Sequence, residues 1–183
     1  SRVGSGASGR NGGQVGSGQR VDQGKLERVV GRDDAMLLWT LGREAVRLVR
    51  ALARHSDVAV PFHPGIVHAD HKRTHVRETH AYAEKLSRDY GYDHMRPLSR
   101  DEIREIVASP AYHGGALDLG AGHLDPLAFA LGLARLAGKA GVRIHETSRV
   151  RRIEPGAEVR VVTDNAEVRA GWAVIACNGY LGG

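Results

Sequence analysis

Between residues 33 and 55 the hydrophobic positions recur at three- and four-residue spacing. Leu38, Leu41, Ala45, Leu48 and Leu52 form one stripe, and Arg43, Arg47, Arg50 and Arg54 lie off it. That period predicts an amphipathic helix. The following DVAVPFHPGIVHA places two prolines around His63 and predicts short extended pieces with turns. Residues 72 to 90 predict a second, more polar helix. A third opens at Ser99, because Ser99 and Glu102 have the spacing of a capping box.

The segment YHGGALDLGAGHLDP shows neither period until Asp125-Pro126, an N-cap acceptor followed by a first-turn proline. The helix expected from Pro126 to about Ala140 is apolar nearly all round, which predicts burial on more than one side. Gly141 is the expected left-handed end. Val142 to Ile144 should begin a strand. Glu158 to Val162 and Glu167 to Ala170 alternate around Asp164-Asn165, a hairpin pattern. WAVIAC, residues 172–177, is a continuous apolar run expected of a strand covered on both faces, with a turn at Asn178-Gly179. Helix, strand, hairpin and buried strand together suggest an α/β nucleotide-binding layer. Ligands of such layers lie beyond the carboxyl ends of the strands, which puts Asn178 and Gly179 near a nucleotide. A Gly-x-Gly-x-x-Gly in a strand-turn-helix setting is not present in this sequence.

Composition narrows the classes. The chain has 183 residues, 42% of them hydrophobic, with 24 glycines, enough for one good-sized domain or two small ones. It lacks a run of about 18 apolar residues and a visible secretory leader, so no membrane partner is expected. The first residue is Ser, which leaves an upstream segment open. One cysteine, Cys177, excludes an internal disulfide and a cysteine-built zinc site. It suits a reducing, cytoplasmic location, and Cys177 itself should be a small buried residue. The net charge of +5 is spread among acidic residues, predicting a solvated surface rather than a nucleic-acid partner. The densest basic cluster, Arg149, Arg151 and Arg152, has no interleaved aromatic platform.

His68, His71, His75 and His80 cluster, and His71 and His75 stand four apart, a spacing that can hold a metal. With no accompanying H-E-x-x-H, exposed helix histidines and no metal are expected. His63 and His113 fit either a pocket or ordinary surface and packing roles. Eight of the 24 glycines fall within the first 24 residues, beside Arg10, Asn11, Gln14, Gln19 and Arg20. Composition leaves two readings equally open there, a flexible tail and a loop whose amides approach an anionic ligand.

Three blocks go further: GASGRNGGQV at 6–15, GHLDPLAFALGLARLAGKAGVRIHETSRV at 122–150 and AVIACNGYLG at 173–182. In this order and spacing the chain resembles FAD-dependent amine and amino-acid oxidoreductases of the D-amino-acid oxidase type, nearest to the γ-glutamylputrescine oxidase branch. The resemblance implies an internal fragment of a FAD-binding, Rossmann-like α/β domain with an inserted substrate domain, α+β in that part. Residues 1–55 and 122–183 would belong to the FAD-binding part and 56–121 to the substrate part. Ala7, Ser8, Arg10, Asn11, Gly12, Gly13 and Gln14 would lie along the pyrophosphate and flavin edge. Val150 would meet the adenine through its backbone, and Ala176, Cys177, Asn178 and Gly179 would form a turn against the cofactor. The implied activity is oxidation of the C–N bond of a small amine or amino acid by hydride transfer to flavin, with oxygen as acceptor. The resemblance assigns no catalytic residue, and it implies activity in the intact parent, with residues 1–183 alone expected to bind FAD weakly or not at all and to be inactive. A basic nucleic-acid-binding module and a histidine-rich metal-binding module are the alternatives.

Overall fold

A computed structural model describes residues 2–180. Its helices are α1 (Gln23–Val30), α2 (Arg32–His55), α3 (Arg73–Tyr90), α4 (Arg100–Val107) and α5 (Pro126–Lys139). Its strands are β1 (Gln14–Val15), β2 (His63–Asp70), β3 (Met95–Leu98), β4 (Gly114–His123), β5 (Val150–Glu154), β6 (Val159–Thr163) and β7 (Glu167–Ala170). The first sheet is built on β4, which pairs antiparallel with β2 along one edge and with β1 and β3 along the other. The strands β5, β6 and β7 form a separate antiparallel meander.

Helices α2 and α3 follow the expected boundaries closely, and α4 opens with the expected capping box. The Ser99 side chain accepts from the Glu102 amide, and the Glu102 carboxylate accepts from the Ser99 amide. Helix α1 was not anticipated inside the glycine-rich start. Asp22 caps it by accepting from the Lys25 amide at 2.8 Å, and Gly31 separates it from α2.

The apparently patternless glycine segment is β4, the central strand. Its glycines hide a strand period because the backbones on either side come too close for side chains. A Cβ on Gly115 would lie 1.8 Å from the His68 carbonyl oxygen. The prolines around His63 likewise conceal β2, which runs unbroken as a strand apart from an irregularity between Pro64 and Ile66.

Two apolar clusters hold these parts together. Trp39, Leu86 and Tyr92 join α2 to α3, with the Trp39 and Tyr92 rings edge to face at 5.1 Å. Ala53, Val60 and Leu124 form the other, against Val15, Val49, Phe62, Ala128 and Phe129. Burying such side chains contributes about 1.5–3 kcal/mol each.

Helix α5 begins at Asp125, whose carboxylate accepts from the Ala128 amide, and ends as expected at Gly141. The Gly141 and Val142 amides donate back to the Gly138 and Ala137 carbonyls, the pairing of a Schellman end. It is less buried than expected: Leu127 and Leu131 are more than 40% exposed, and Gly132 is its one buried residue. Two expected strands are absent from the described residues. Val142 to Ile144 and residues 172–177 have no pairing partner there, so their backbone groups find no ladder to join. Trp172 is 91% exposed and Cys177 is exposed as well, which corrects the buried strand and the buried thiol. The β6–β7 hairpin around Asp164-Asn165 formed as expected.

Candidate functional site

The glycine-rich start is a shaped loop. A single 3-10 turn at Ala7–Gly9 leads into it, and Asn11 holds it from inside. The Asn11 side-chain amide donates to the Ala7 and Ser8 carbonyls at 2.9 and 3.2 Å, and its oxygen accepts from the Gly13 amide at 2.8 Å. An Asx arrangement of this kind replaces regular backbone pairing where the chain must turn sharply. Gly13 is buried at φ +65°, and a Cβ there would lie 1.9 Å from the Leu124 carbonyl oxygen. Its need for glycine is met inside the protein, by the approach of β4 as it enters α5. Gly12 differs. Nothing lies within 4 Å of where its Cβ would be. Among the described residues, the Asn11 and Gly12 amides donate to no protein acceptor.

The loop is tied to the far end of the chain. The Ala7 amide donates to the Tyr180 hydroxyl at 2.9 Å, and the Val3 amide donates to Glu146 at 2.6 Å. Tyr180 follows the expected Asn178-Gly179 turn, which closes by a bond from the Tyr180 amide to the Cys177 carbonyl. Asn178 has φ +51°. Of the residues singled out from sequence, Ala7, Ser8, Arg10, Asn11 and Gly12 lie exposed on the loop, and Gln14 is exposed on β1. The Ala176–Gly179 turn comes to this loop through Tyr180. Val150 stands exposed at the start of β5, opposite Thr163.

Beneath β1 a buried polar network fixes the chain leaving the site. The Tyr92 hydroxyl donates to an Asp118 carboxylate oxygen and lies 2.5 Å from the Ser17 hydroxyl. The Gly120 and Ala121 amides donate to the same Asp118 oxygen at 2.9 and 3.2 Å. Burial, and then the Asp118 carboxylate, push the Tyr92 hydroxyl well above the usual tyrosine range. Arg43 sits over the Tyr92 ring, 4.5 Å from its centre. A cleft of about 410 Å³ lies beside this segment, lined by Gln14, Val15, Gly18, Leu41 and Val46 among others.

Sequence reasoning missed Tyr180 and the Tyr92–Asp118 pair, whose partners are distant in the chain. The signal for Tyr180 was present, since an aromatic hydroxyl directly follows the Asn-Gly turn. The rings of His71 and His75 meet edge to face at 5.7 Å. Among the described residues no three His, Cys, Asp or Glu side chains gather into a metal-ligating group.

Residues 1–182 match the family described as FAD dependent oxidoreductase. The chain belongs to that family. It is 38% identical over 182 residues to a probable oxidoreductase OrdL of Rhizobium meliloti, a match covering 99% of this chain and 42% of the relative. It is 32% identical over 182 residues to gamma-glutamylputrescine oxidoreductase of Escherichia coli K12, covering 100% of this chain and again 42% of the relative. The chain therefore spans well under half the length of these curated relatives. Glycine oxidase from Geobacillus kaustophilus superposes with a TM-score of 0.70 at 18% identity, over 91% of this chain and 44% of that one. That likeness shows the fold, which is the one expected from the resemblance. Among the described residues no helix is long and apolar enough to cross a membrane.

Proposed function

We propose that this chain carries the flavin-edge loop of an FAD-dependent oxidoreductase that oxidises the C–N bond of an amine or amino acid. One observation carries the reading. The Asn11 and Gly12 amides are unspent, at a point where Gly12 leaves open space, on a loop held in shape by Asn11. Such donors suit a pyrophosphate or an electron-rich ring edge. Ala7, Ser8, Arg10, Asn11, Gly12 and Gln14 would hold FAD on one side, with Gly13 shaping their loop from inside, Ala176, Cys177, Asn178 and Gly179 across the Ala7–Tyr180 bond, and Val150 toward the adenine. When bound, FAD supplies the acceptor for a hydride from the substrate carbon. The chain's own residues bind the cofactor, orient the substrate and keep water from the reacting carbon.

The relative named for γ-glutamylputrescine supports a substrate with a primary amine on a short alkyl chain, and oxygen as final acceptor belongs to the proposal. The reading keeps the division into FAD-binding parts 1–55 and 122–183 around a substrate part 56–121, and a cytoplasmic location. Titration of the full-length protein with FAD, followed by flavin absorbance and fluorescence, tests it. Saturable binding at one site, with anaerobic bleaching by γ-glutamylputrescine and peroxide formation in air, is expected. Absence of any FAD uptake would overturn it.

A further inference from the structure

Three side chains from three strands fall in one row beside the glycine loop. Gln14 of β1 stands opposite His123 of β4, which stands opposite His63 of β2. Directly opposed residues of antiparallel strands project from the same face of a sheet. The two imidazoles are stacked, with centres 5.1 Å apart and planes 24° apart. All three residues are exposed. Just beyond His123 the Leu124 amide donates to the Gly13 carbonyl at 3.0 Å, so the row adjoins the loop assigned to the flavin edge. Among the described residues neither imidazole makes a hydrogen bond to the protein, and both side chains are open to solvent.

Resting on the proposed function, we infer that His63 and His123 form the amine-recognition edge of the site. A primary amine reaches the protein mostly as an ammonium, whereas oxidation of its C–N bond uses the nitrogen lone pair. Imidazole is the side chain that ordinarily exchanges a proton near neutral pH. An ammonium N–H donates to a ring nitrogen of the pair. That N–H bond then breaks as a new one forms on the imidazole, and the freed electron pair stays on the amine. The step is a proton transfer and needs no oxidant. Gln14, at the end of the row, offers a neutral carbonyl to a second N–H. The flanking charges are Arg50, whose guanidinium lies over the Phe62 ring, and Asp125, spent as the cap of α5.

The test uses the FAD-loaded full-length protein. In its first arm, n-butylammonium chloride is added while the ring C–H resonances of His63 and His123 are followed, assigned with His63→Gln and His123→Gln. Both signals should shift saturably, and tetramethylammonium, which has no N–H, should not reproduce the shift. The second arm follows anaerobic flavin bleaching by a reactive primary amine. Each glutamine variant should be slowed about tenfold or more near pH 7. The deficit should close as the pH rises and the amine arrives already neutral, a recovery that a merely structural defect would not show. His71→Gln with His75→Gln should stay within about twofold of the parent protein. Unmoved His63 and His123 signals, or a flavin-retaining double variant with an unaltered rate and pH profile, would overturn the inference and leave the functional reading standing. A protein that takes up no FAD would overturn the functional reading itself.

Discussion

The backbone amide of Ala7 donates to the hydroxyl of Tyr180, 173 positions further along the chain, at 2.9 Å. This bond joins the first glycine loop to the last turn, beside the Leu124–Gly13 bond that ties the same loop to the start of α5. Removing the Tyr180 acceptor should loosen the loop without unfolding the protein. Tyr180→Phe is expected to lose about 1 kcal/mol locally, the net worth of one hydrogen bond. Hydrogen exchange at the Ala7 amide should accelerate about fivefold, with the global denaturant midpoint unchanged. An unchanged exchange rate would show the contact to be idle.

Adjacent glycines should fail in different ways. Gly13→Ala places a Cβ against the Leu124 carbonyl at a left-handed φ and is expected to cost roughly 3 kcal/mol of stability. Gly12→Ala meets no protein atom, so its stability should stay within about 1 kcal/mol of the parent. On the proposed reading its FAD affinity should nevertheless fall, because the added methyl would enter the open space assigned to the cofactor. Melting curves paired with flavin titration separate the two. Equal melting temperatures for both variants would contradict the assignment.

Tyr92→Phe removes the hydroxyl shared by Asp118 and Ser17 and leaves Asp118 only its two amide donors. A loss of roughly 1–3 kcal/mol is expected in urea unfolding. The raised folded-state value also sets a pH window. An unfolded tyrosine gives up its proton near its ordinary value of 10, whereas folded Tyr92 keeps it longer. Its contribution is therefore complete below about pH 10 and is lost as the pH climbs toward the folded value. Tyrosinate absorbance from Tyr92 should appear only with alkaline unfolding, and Tyr92→Phe should flatten that limb of the stability curve.

Acid should loosen the start of α4. The Ser99 amide, and then the Arg96 guanidinium, hold the Glu102 carboxyl at about 2, against an ordinary 4.5. The stabilisation is full above about pH 4.5 and disappears as the pH falls toward 2. Exchange of the Ile103 amide should quicken across that window in the parent protein. In Glu102→Gln it should be faster than in the parent at neutral pH and nearly independent of acid.

Helices were legible in the sequence because their causes are local. The leucine stripe of α2, the Ser99–Glu102 box of α4 and the Asp125-Pro126 start of α5 each lie within a few residues of the structure they specify. Strand β4 was not legible. Its glycines are explained by His68 and other neighbours that approach from far away in sequence, and a pattern read along one strand cannot show them. WAVIAC misled for the converse reason: its composition suits a buried strand, but a strand exists only with a partner, and no described segment pairs with it. In the site, the glycine loop and the Asn178-Gly179 turn stood out as motifs. Tyr180, His123 and Asp118 acquire their roles from cross-strand register and long-range bonds, which leave no local period.

The pairing of β1 with β4 and the bond from Ala7 to Tyr180 close very long loops, whereas α2, α3 and α4 form from neighbours. Chain-entropy costs make such distant closures late events, so the glycine loop should be the last part of the protein to order during folding. Pulse-labelled exchange should protect α2 and α3 first and the Gly13 amide, which Asn11 can cover only once the loop is set, at the end. Ligand added during refolding should then slow unfolding of the finished protein without hastening assembly of the sheet.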